Sequence, residues 1–345
     1  MTTKISIVVT TYNHQKYIAQ CLESLARQKG DFDMEIIVGD DCSTDSTRTI
    51  AQEFQDKYPG LVALLPQHPN LGITRNLKRC LDACSSEYIA ICEGDDYWTD
   101  EYKLQKQVAF LEKNLDFSMC FSALMVYFED SNKFEPFQGQ LQLTKDVLST
   151  EDLILKNSIG NFSCCMYRAK VIRQLPDELF DLPIADWMFN MVCGQFGPIG
   201  FLRDWMSVYR KHVHGAWSGL SKLEQSAELG QLIDSYNRFF DNKYEEYFAI
   251  VKYKEVVDSS PADMHADTEP TFEADGASKE DVLRGRLYSL QTALYESSAR
   301  VVQREQEIQA LQEQLNSLYQ STSWKITQPL REIKSWIEKL LARPN

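Results

Sequence analysis

The sequence predicts an α/β fold in which a mostly parallel sheet is covered by helices on both faces. Strand-like and helix-like segments alternate through the first third of the 345-residue chain, a pattern typical of parallel strands joined by crossover helices. The strand-like segments are short and apolar, as expected for strands whose two faces are both buried. Such sheets bind ligands beyond the carboxyl ends of their strands, so the residues after each strand are the first candidates for a site.

Each element of this alternation has its own sequence pattern. The predicted strands are short apolar runs and cover residues 5–10, 35–38, 61–65 and 88–92. The predicted helices carry apolar residues at helical spacing and cover residues 17–28, 46–58 and 74–84. From about residue 100 to 220 the pattern is mixed, with helices at 104–114 and near 151 and 186, and a long apolar strand at 118–128.

The composition limits the classes of protein to which the chain can belong. It contains 36 Lys and Arg residues against 50 Asp and Glu residues, a formal charge of −14. This argues against a general nucleic-acid-binding protein, which needs a basic face for phosphates. The 9 cysteines include no Cys-x-x-Cys pair, so we expect reduced thiols rather than a zinc site or a disulfide framework. The apolar run at 5–9 is too short for a signal peptide or a membrane span, and we therefore expect a cytoplasmic protein.

Three segments of different character follow a globular domain that we place at residues 1–257. Residues 258–281 contain eight acidic residues and few large apolar groups, which predicts a flexible linker. Residues 282–321 keep an apolar heptad repeat, which predicts a coiled coil. Residues 322–345 have five basic and two acidic residues and predict an amphipathic helix that contacts a membrane surface. The alternatives are a long helix packed on the chain's own domain and a terminal helix that docks on a protein.

Acidic residues follow the second and fourth predicted strands. Asp40 and Asp41 come after the second strand, and Glu93, Asp95 and Asp96 come after the fourth. The chain has no G-x-G-x-x-G after its first strand and no G-x-x-x-x-G-K-[ST] segment, so neither of these phosphate cradles is supported. A bound diphosphate would then be neutralised most simply by a metal ion held on carboxylates. Asp and Gly also mark ordinary turns, which is the alternative for the second acidic group.

Four segments in this order resemble the motifs of the family 2 glycosyltransferases, whose fold is called GT-A. They are SIVVTTYN at 6–13, IIVGDDCSTDST at 36–47, NLG at 70–72 with Arg75 and Asn76, and EGDDYW at 93–98. A fifth region resembles the acceptor side of those transferases that build bacterial surface polysaccharides. It comprises ADW at 185–187, YRKH at 209–212 and GAWS at 215–218. The resemblance runs from about residue 4 to residue 220 and implies a GT-A fold and a sugar-transfer activity.

The resemblance implies a nucleotide-sugar site built from the motif residues. Thr10 and Tyr12 would border the nucleotide base, and Asp41 would accept a hydrogen bond from it. The other residues implied in nucleotide-sugar binding are Arg75, Asn76, Glu93 and Asp96. The alternative for Asp41 is to cap the helix that follows it. Arg75, Arg79 and Arg210 are candidate contacts for the diphosphate or the acceptor, and their alternative is solvated surface, where isolated arginines are most often found.

The resemblance also implies a metal site and a catalytic base. Asp95 is expected to bind Mn²⁺ or Mg²⁺, with His212 as a second contact, whereas the role of His214 stays open. The metal motif of the family is Asp-x-Asp, and Glu93 stands at its first position. Asp186 is the expected base, which takes a proton from the acceptor hydroxyl so that the anomeric carbon is inverted. Its alternative is to cap the helix that follows it.

Together these expectations describe an inverting, metal-dependent transferase. Its donor would be a UDP-linked sugar, and its acceptor a glycan or lipid-linked glycan of a bacterial surface polysaccharide. The coiled coil would make the protein a homo-oligomer, and the terminal helix would hold it at the inner face of the cell membrane. The second hypothesis is a coiled-coil scaffold with a weak or inactive transferase domain, which only the departure at Glu93 supports.

Overall fold

A ten-stranded mixed sheet forms the centre of the described part of the chain. The structure is a computed structural model, which describes residues 3–183 and 186–259. Numbered along the chain, its strands are β1 Thr3–Thr11, β2 Phe32–Asp40, β3 Val62–Leu64, β4 Tyr88–Ile91, β5 Tyr97–Trp98, β6 Met119–Phe128, β7 Lys133–Pro136, β8 Val147–Leu148, β9 Cys165–Arg168 and β10 Ile199–Lys211. Their order across the sheet is β3-β2-β1-β4-β9-β6-β10-β5, with β7 paired to β6 and β8 to β10.

Helices connect the strands, as the alternating sequence pattern predicts. They are α1 Ile18–Ala26, α2 Thr47–Lys57, α3 Ile73–Asp82, α4 Lys103–Lys113, α5 Gln138–Leu141, α6 Thr150–Leu155, α7 Ala169–Ile172, α8 Asp186–Cys193, α9 Lys222–Phe239 and α10 Glu245–Ser259. The predicted α/β class is confirmed. Within residues 3–183 and 186–259, no helix is long and apolar enough to cross a membrane.

The structure describes only two residues beyond the domain boundary predicted at residue 257. Helix α10 ends at Ser259 and so includes the first two residues of the predicted linker at 258–281. The rest of that linker, the predicted coiled coil at 282–321 and the predicted basic helix at 322–345 lie outside the described residues.

The register of the parallel strands brings the predicted motifs to one edge of the sheet. Strand β1 is parallel to both β2 and β4, with Thr11 opposite Asp40 and Val8 opposite Ile91. The carboxyl ends of these three strands therefore lie side by side. Strands β6 and β10 form a second long parallel ladder, while the short strands β5, β7, β8 and β9 pair antiparallel to their neighbours.

Strand β10 was not predicted from the sequence, although it carries part of the candidate site. Its residues Arg203, Asp204 and Trp205 are exposed, and the pairing register with β6 shifts on both sides of Trp205. A bulge of this kind interrupts the regular alternation by which a strand is recognised. The charged residues within the bulge therefore conceal a 13-residue strand.

The two faces of the sheet are buried in two separate hydrophobic cores, as the apolar strands predict. In β1, Ile7 and Val9 belong to the core that α1, α2 and α4 cover. Val8, on the opposite face, belongs to the core that includes residues of α3, α6 and α8. Because successive side chains of a strand point to opposite faces, a strand of this kind is expected to be mostly apolar along its buried length.

Helix α3 packs so closely on β2 that only glycine fits at residue 39. A Cβ atom at Gly39 would lie 2.1 Å from the Cys80 sulfur and 3.0 Å from Oδ1 of Asn76. The amide of Asn76 in turn donates to the Gly39 carbonyl at 2.7 Å. This contact fixes the helix against the strand just before Asp41.

The substitution Gly39→Ala tests this packing. We expect it to destabilise the protein by about 1–3 kcal/mol, the usual cost of forcing a methyl group into a packed core. The Gly39→Ala/Cys80→Ala double variant removes the sulfur that the methyl group meets, so it should lose less than the sum of the two single variants. Urea unfolding of all four proteins measures the difference, and strict additivity would contradict the contact.

Candidate active site

The carboxyl ends of β1, β2 and β4 are joined by backbone hydrogen bonds that continue past the strands. The Asp41 amide donates to the Thr11 carbonyl at 2.9 Å, and the Gly94 amide donates to the Thr10 carbonyl at 2.9 Å. Both acidic groups predicted from the sequence therefore flank the end of β1. Tyr12, at that end, is 45% exposed and so has a free ring face for a ligand.

Asp95 is held by two histidines. Nε2 of His212, at the end of β10, lies 3.0 Å from Oδ2 of Asp95, and Nε2 of His14 lies 3.7 Å from the same oxygen. Burial alone would raise the pKa of Asp95, but the hydrogen bond from His212 and the charge of His14 outweigh it and lower that pKa. The structure thus brings together Asp95 and His212, which the sequence pairs only by resemblance.

His14 is a site residue that the sequence analysis missed. Its Nδ1 lies over Gly94, where a Cβ atom would come within 3.0 Å of it. Burial lowers the pKa of His14, against the charge of Asp95, which raises it. The only signal for His14 in the sequence is its place directly after the end of the first strand, and a lone histidine there is not specific.

Glu93 lies in the same turn and has an amide partner. Nδ2 of Asn161 donates to Oε2 of Glu93 at 2.9 Å. Burial, followed by the charges of Asp95 and Asp186, raises the pKa of Glu93 to about 8. Glu93 is therefore mostly protonated at neutral pH when no cation is near it. Because the charge of Asp186 contributes to the raised pKa of Glu93, the turn and the start of α8 lie close together.

Asp96 faces inward. Its Oδ1 accepts the backbone N–H of Arg210 at 2.9 Å, and the residue is 1% exposed. Burial and the charges of Asp95 and Glu93 raise its pKa well above the ordinary value. In this structure Asp96 therefore connects the turn to β10. Its predicted contact with a nucleotide sugar stays a prediction.

Asp186 is the first residue of α8. Its Oδ1 accepts the backbone N–H of Trp187 at 2.7 Å, so the carboxylate does satisfy the helix start, the alternative role considered from the sequence. Burial raises the pKa of Asp186 to about 6, against hydrogen bonds from Trp187 and the Asn157 side chain that lower it. Asp186 is therefore ionised at neutral pH and able to accept a proton.

One short loop supplies the amides that contact both acids. Asn157 contacts Asp186 and Asn161 contacts Glu93. Between them Gly160 has a φ of 87°, with the Phe137 ring packed against it, a conformation that favours glycine. The sequence analysis missed both asparagines, because a polar loop residue carries no pattern that reports its partner across the fold.

Three predicted donor-site residues have protein partners. Oδ1 and Oδ2 of Asp41 accept the backbone N–H groups of Leu71 and Gly72 at 2.8 and 2.9 Å. This places Asp41 at the start of α3 rather than of the helix that follows it in sequence. Asn76 is 2% exposed and binds the Gly39 carbonyl, and Arg75 is exposed and pairs with Asp181.

The donor atoms at Asp95 suit a divalent cation whose other ligands come from a substrate. Within residues 3–183 and 186–259, no group of three or more His, Cys, Asp or Glu side chains could hold a metal ion alone. Within the described residues, Nδ1 of His212 is buried and has no hydrogen-bond partner. A carboxylate oxygen and an imidazole nitrogen fit Mn²⁺, and a carboxylate with diphosphate oxygens also fits Mg²⁺. Asp95 and His212 are therefore the residues that would hold such an ion.

In open α/β sheets, ligands bind beyond the carboxyl ends of the strands, which is where these groups lie. Residues 6–175 match the family model described as Glycosyl transferase family 2, so this part of the chain is a family 2 glycosyltransferase domain. The chain is also 37% identical to the uncharacterized protein Rv1520 of Mycobacterium tuberculosis over 217 residues, which are 62% of this chain and 60% of that protein.

Two solved structures show the same fold. The first is Staphylococcus aureus TarS 1–349 in complex with UDP-GlcNAc, with a TM-score of 0.52, 22% identity, and 67% of this chain and 66% of that chain covered. The second is the mannosyltransferase PcManGT of Pyrobaculum calidifontis with GDP-Man and Mn²⁺, with a TM-score of 0.53, 15% identity, and 73% and 70% covered. They confirm the predicted GT-A architecture.

The pKa of Glu93 predicts how stability depends on pH when a chelator is present. Because the pKa rises from 4.5 in the unfolded chain to about 8 in the fold, the native state binds more protons between these values and stability falls as pH rises through this window. Glu93→Gln removes the ionisation and keeps an oxygen for Asn161. It should lie within about 1 kcal/mol of the wild type near pH 5 and exceed its stability by about 4 kcal/mol near pH 8.

Urea unfolding at the two pH values measures this difference. The matched control is Glu112→Gln, which changes an exposed glutamate of α4 and should have the same effect at both pH values. An advantage of Glu93→Gln that does not grow with pH would contradict the assignment.

Proposed function

We propose that this chain is an inverting, metal-dependent glycosyltransferase that acts in the synthesis of a bacterial surface polysaccharide. It takes a sugar from a nucleotide-sugar donor and adds it to a glycan or to a lipid-linked glycan. The observation that carries the proposal is the convergence of the Asp95–His212 pair, Glu93 and the ionised Asp186 at one edge of the sheet. All four residues lie in segments that resemble the family, Glu93 and Asp95 in the 93–98 motif and Asp186 and His212 in the acceptor-side region.

Each of these side chains has a task that its environment supports. Asp186, with a pKa of about 6, takes the proton of the acceptor hydroxyl as that oxygen attacks the anomeric carbon, and inversion follows from attack opposite the leaving group. Asp95 and His212 are the residues that would hold Mn²⁺ or Mg²⁺, which stabilises the charge on the departing nucleoside diphosphate when it is bound. Glu93 lies beside Asp95 in the same turn, and because a bound cation would favour its ionised form, it can accept a hydrogen bond from a hydroxyl of the sugar donor.

The donor that we propose is UDP-linked. The TarS structure contains UDP-GlcNAc, whereas the Pyrobaculum enzyme contains GDP-Man, so the fold accommodates either base. On this chain the exposed ring of Tyr12 can stack on a base, and the Asp41 carboxylate lies near the same end of β1. Each oxygen of a carboxylate can accept more than one hydrogen bond, so Asp41 can serve α3 and an imide N–H together.

The variant Asp186→Asn tests the catalytic step. Asparagine keeps an oxygen for the Trp187 amide but cannot take a proton, so we expect the rate of sugar transfer to fall by about 10²–10⁴-fold. In the wild type, kcat/KM should fall about tenfold for each pH unit below about 6, where Asp186 becomes protonated. Release of nucleoside diphosphate from a panel of nucleotide sugars, with Mn²⁺ and acceptor, measures both effects.

A matched control is Asp177→Asn, which changes an exposed aspartate that pairs with Lys78 and should leave the rate unchanged. Equal rates for Asp186→Asn and the wild type would refute the role of the base. No turnover with any donor, together with no metal-dependent nucleotide binding, would favour the coiled-coil scaffold instead.

We further propose that the segments after the catalytic domain place the enzyme at the inner face of the membrane. The support is compositional, namely an apolar heptad repeat followed by a basic amphipathic segment in an otherwise acidic chain. Liposomes containing anionic lipid should float the full chain, and removal of residues 323–345 should abolish this flotation. Unchanged flotation of the shortened chain would contradict membrane contact through that segment.

A further inference from the structure

Arg210 is a buried cation directly behind the turn that carries Asp95. It lies near the end of β10, is 7% exposed, and donates from Nε to the Asp95 carbonyl at 2.8 Å and from Nη2 to Oε1 of Gln20 at 2.6 Å. Both acceptors are neutral oxygens. The arginine is therefore not on solvated surface, the alternative considered from the sequence. Its guanidinium instead binds the backbone of the turn.

Three aromatic rings surround this guanidinium. Its carbon lies 4.9 Å from the ring centre of Tyr17, 5.3 Å from that of Tyr97 and 5.4 Å from that of Tyr127. A cation within about 6 Å of a ring centre is attracted by the ring, and the attraction is strongest where water is excluded. The rings thus compensate the burial of the charge and leave the guanidinium only one orientation, towards the turn.

Arg210 makes two hydrogen bonds to the turn, one from its side chain and one from its backbone. While the side chain of Arg210 binds the Asp95 carbonyl, its backbone N–H is bound by the carboxylate of Asp96. Two residues further along the chain, directly after the end of β10, His212 contacts the Asp95 carboxylate. Arg210 and His212 therefore hold the backbone and the side chain of Asp95 together.

Tyr17 connects these two anchors. Its ring centre lies 4.7 Å from that of His212 as well as close to the guanidinium. Its hydroxyl donates to Oε2 of Glu129 at 2.8 Å, and the Glu129 amide bonds to the Lys211 carbonyl at 3.0 Å. The ring that orients Arg210 is thereby tied to the strand segment that carries both Arg210 and His212.

We propose that Arg210 is a positioning residue, which fixes the Glu93–Asp96 turn so that Asp95 and His212 present their donor atoms in one geometry. The proposal rests on the proposed function, because it assigns the arginine to the same cation and diphosphate site. It differs from a direct contact with the diphosphate, since the Arg210 side chain is occupied by protein atoms on the buried side of the turn.

The test compares two buried arginines. Arg168 is 8% exposed and donates to the carbonyls of Phe117, Leu111 and Asn114, but none of these belongs to the site. Arg210→Lys keeps the charge and loses the forked geometry. We expect it to weaken Mn²⁺ binding to the full chain, alone and with UDP, by about 10–100-fold, as is usual for partners of metal ligands. Arg168→Lys should lower the melting temperature without changing either affinity.

Electron paramagnetic resonance of free Mn²⁺ and calorimetry with UDP give the affinities, and thermal unfolding gives the stability. Gln20→Ala, at an exposed position, removes one anchor of the guanidinium without touching the core and should weaken Mn²⁺ binding several-fold even if Arg210→Lys does not fold. Wild-type affinity in both Arg210→Lys and Gln20→Ala, or an equal loss in Arg168→Lys, would overturn the positioning role alone. A wild-type chain that binds neither Mn²⁺ nor UDP would overturn the proposed function with it.

Discussion

The site depends on four carboxylates that lie together at one partly buried edge of the sheet, where their negative charges repel one another. The charges of Asp95 and Asp186 raise the pKa of Glu93, and those of Asp95 and Glu93 raise the pKa of Asp96. Like charges in a place with little water oppose ionisation unless each has a partner. The partners are the Asn161 amide, the His212 ring, the Arg210 backbone and the Trp187 backbone. The surrounding structure supplies these partners from three separate segments, namely the loop at 157–161, α8 and the end of β10.

The acidic turn and the groups that bind it come from different parts of the fold. Strand β4, parallel to β1, delivers the acidic turn to the end of β1, whereas the histidine and the amides come from β10, α8 and the loop at 157–161. Strands β9 and β6 lie between β4 and β10 in the sheet, and the contacts of β10 with the turn are made by Arg210, near the end of the strand. The site forms only when the sheet is complete, which couples its geometry to folding.

The first half of this arrangement could be predicted from the sequence. Short apolar strands, helical spacing and acidic residues at strand ends follow from local periodicity, and the predicted strands and helices up to residue 92 were all confirmed. The partners could not be predicted, because Asn161, His14 and Arg210 act through contacts between segments that are distant in the chain. Arg210 shows the limit most clearly, since a lone arginine is by residue type a surface group. Its burial is compensated by three tyrosine rings and two hydrogen bonds to distant segments.

The acids of the cluster differ in environment, and this separates their roles. Opposing effects leave Asp95 with a lowered pKa, because the two histidines outweigh its burial. Burial raises the pKa of Asp186 to about 6 and that of Glu93 to about 8. Groups whose pKa values are pushed apart in this way can act as ligand and as base at one pH. A protonated Glu93 limits the charge repulsion that Asp95 and Asp186 experience, whereas a bound divalent cation would favour its ionised form. Glutamate at the first position of the metal motif is therefore compatible with an active site.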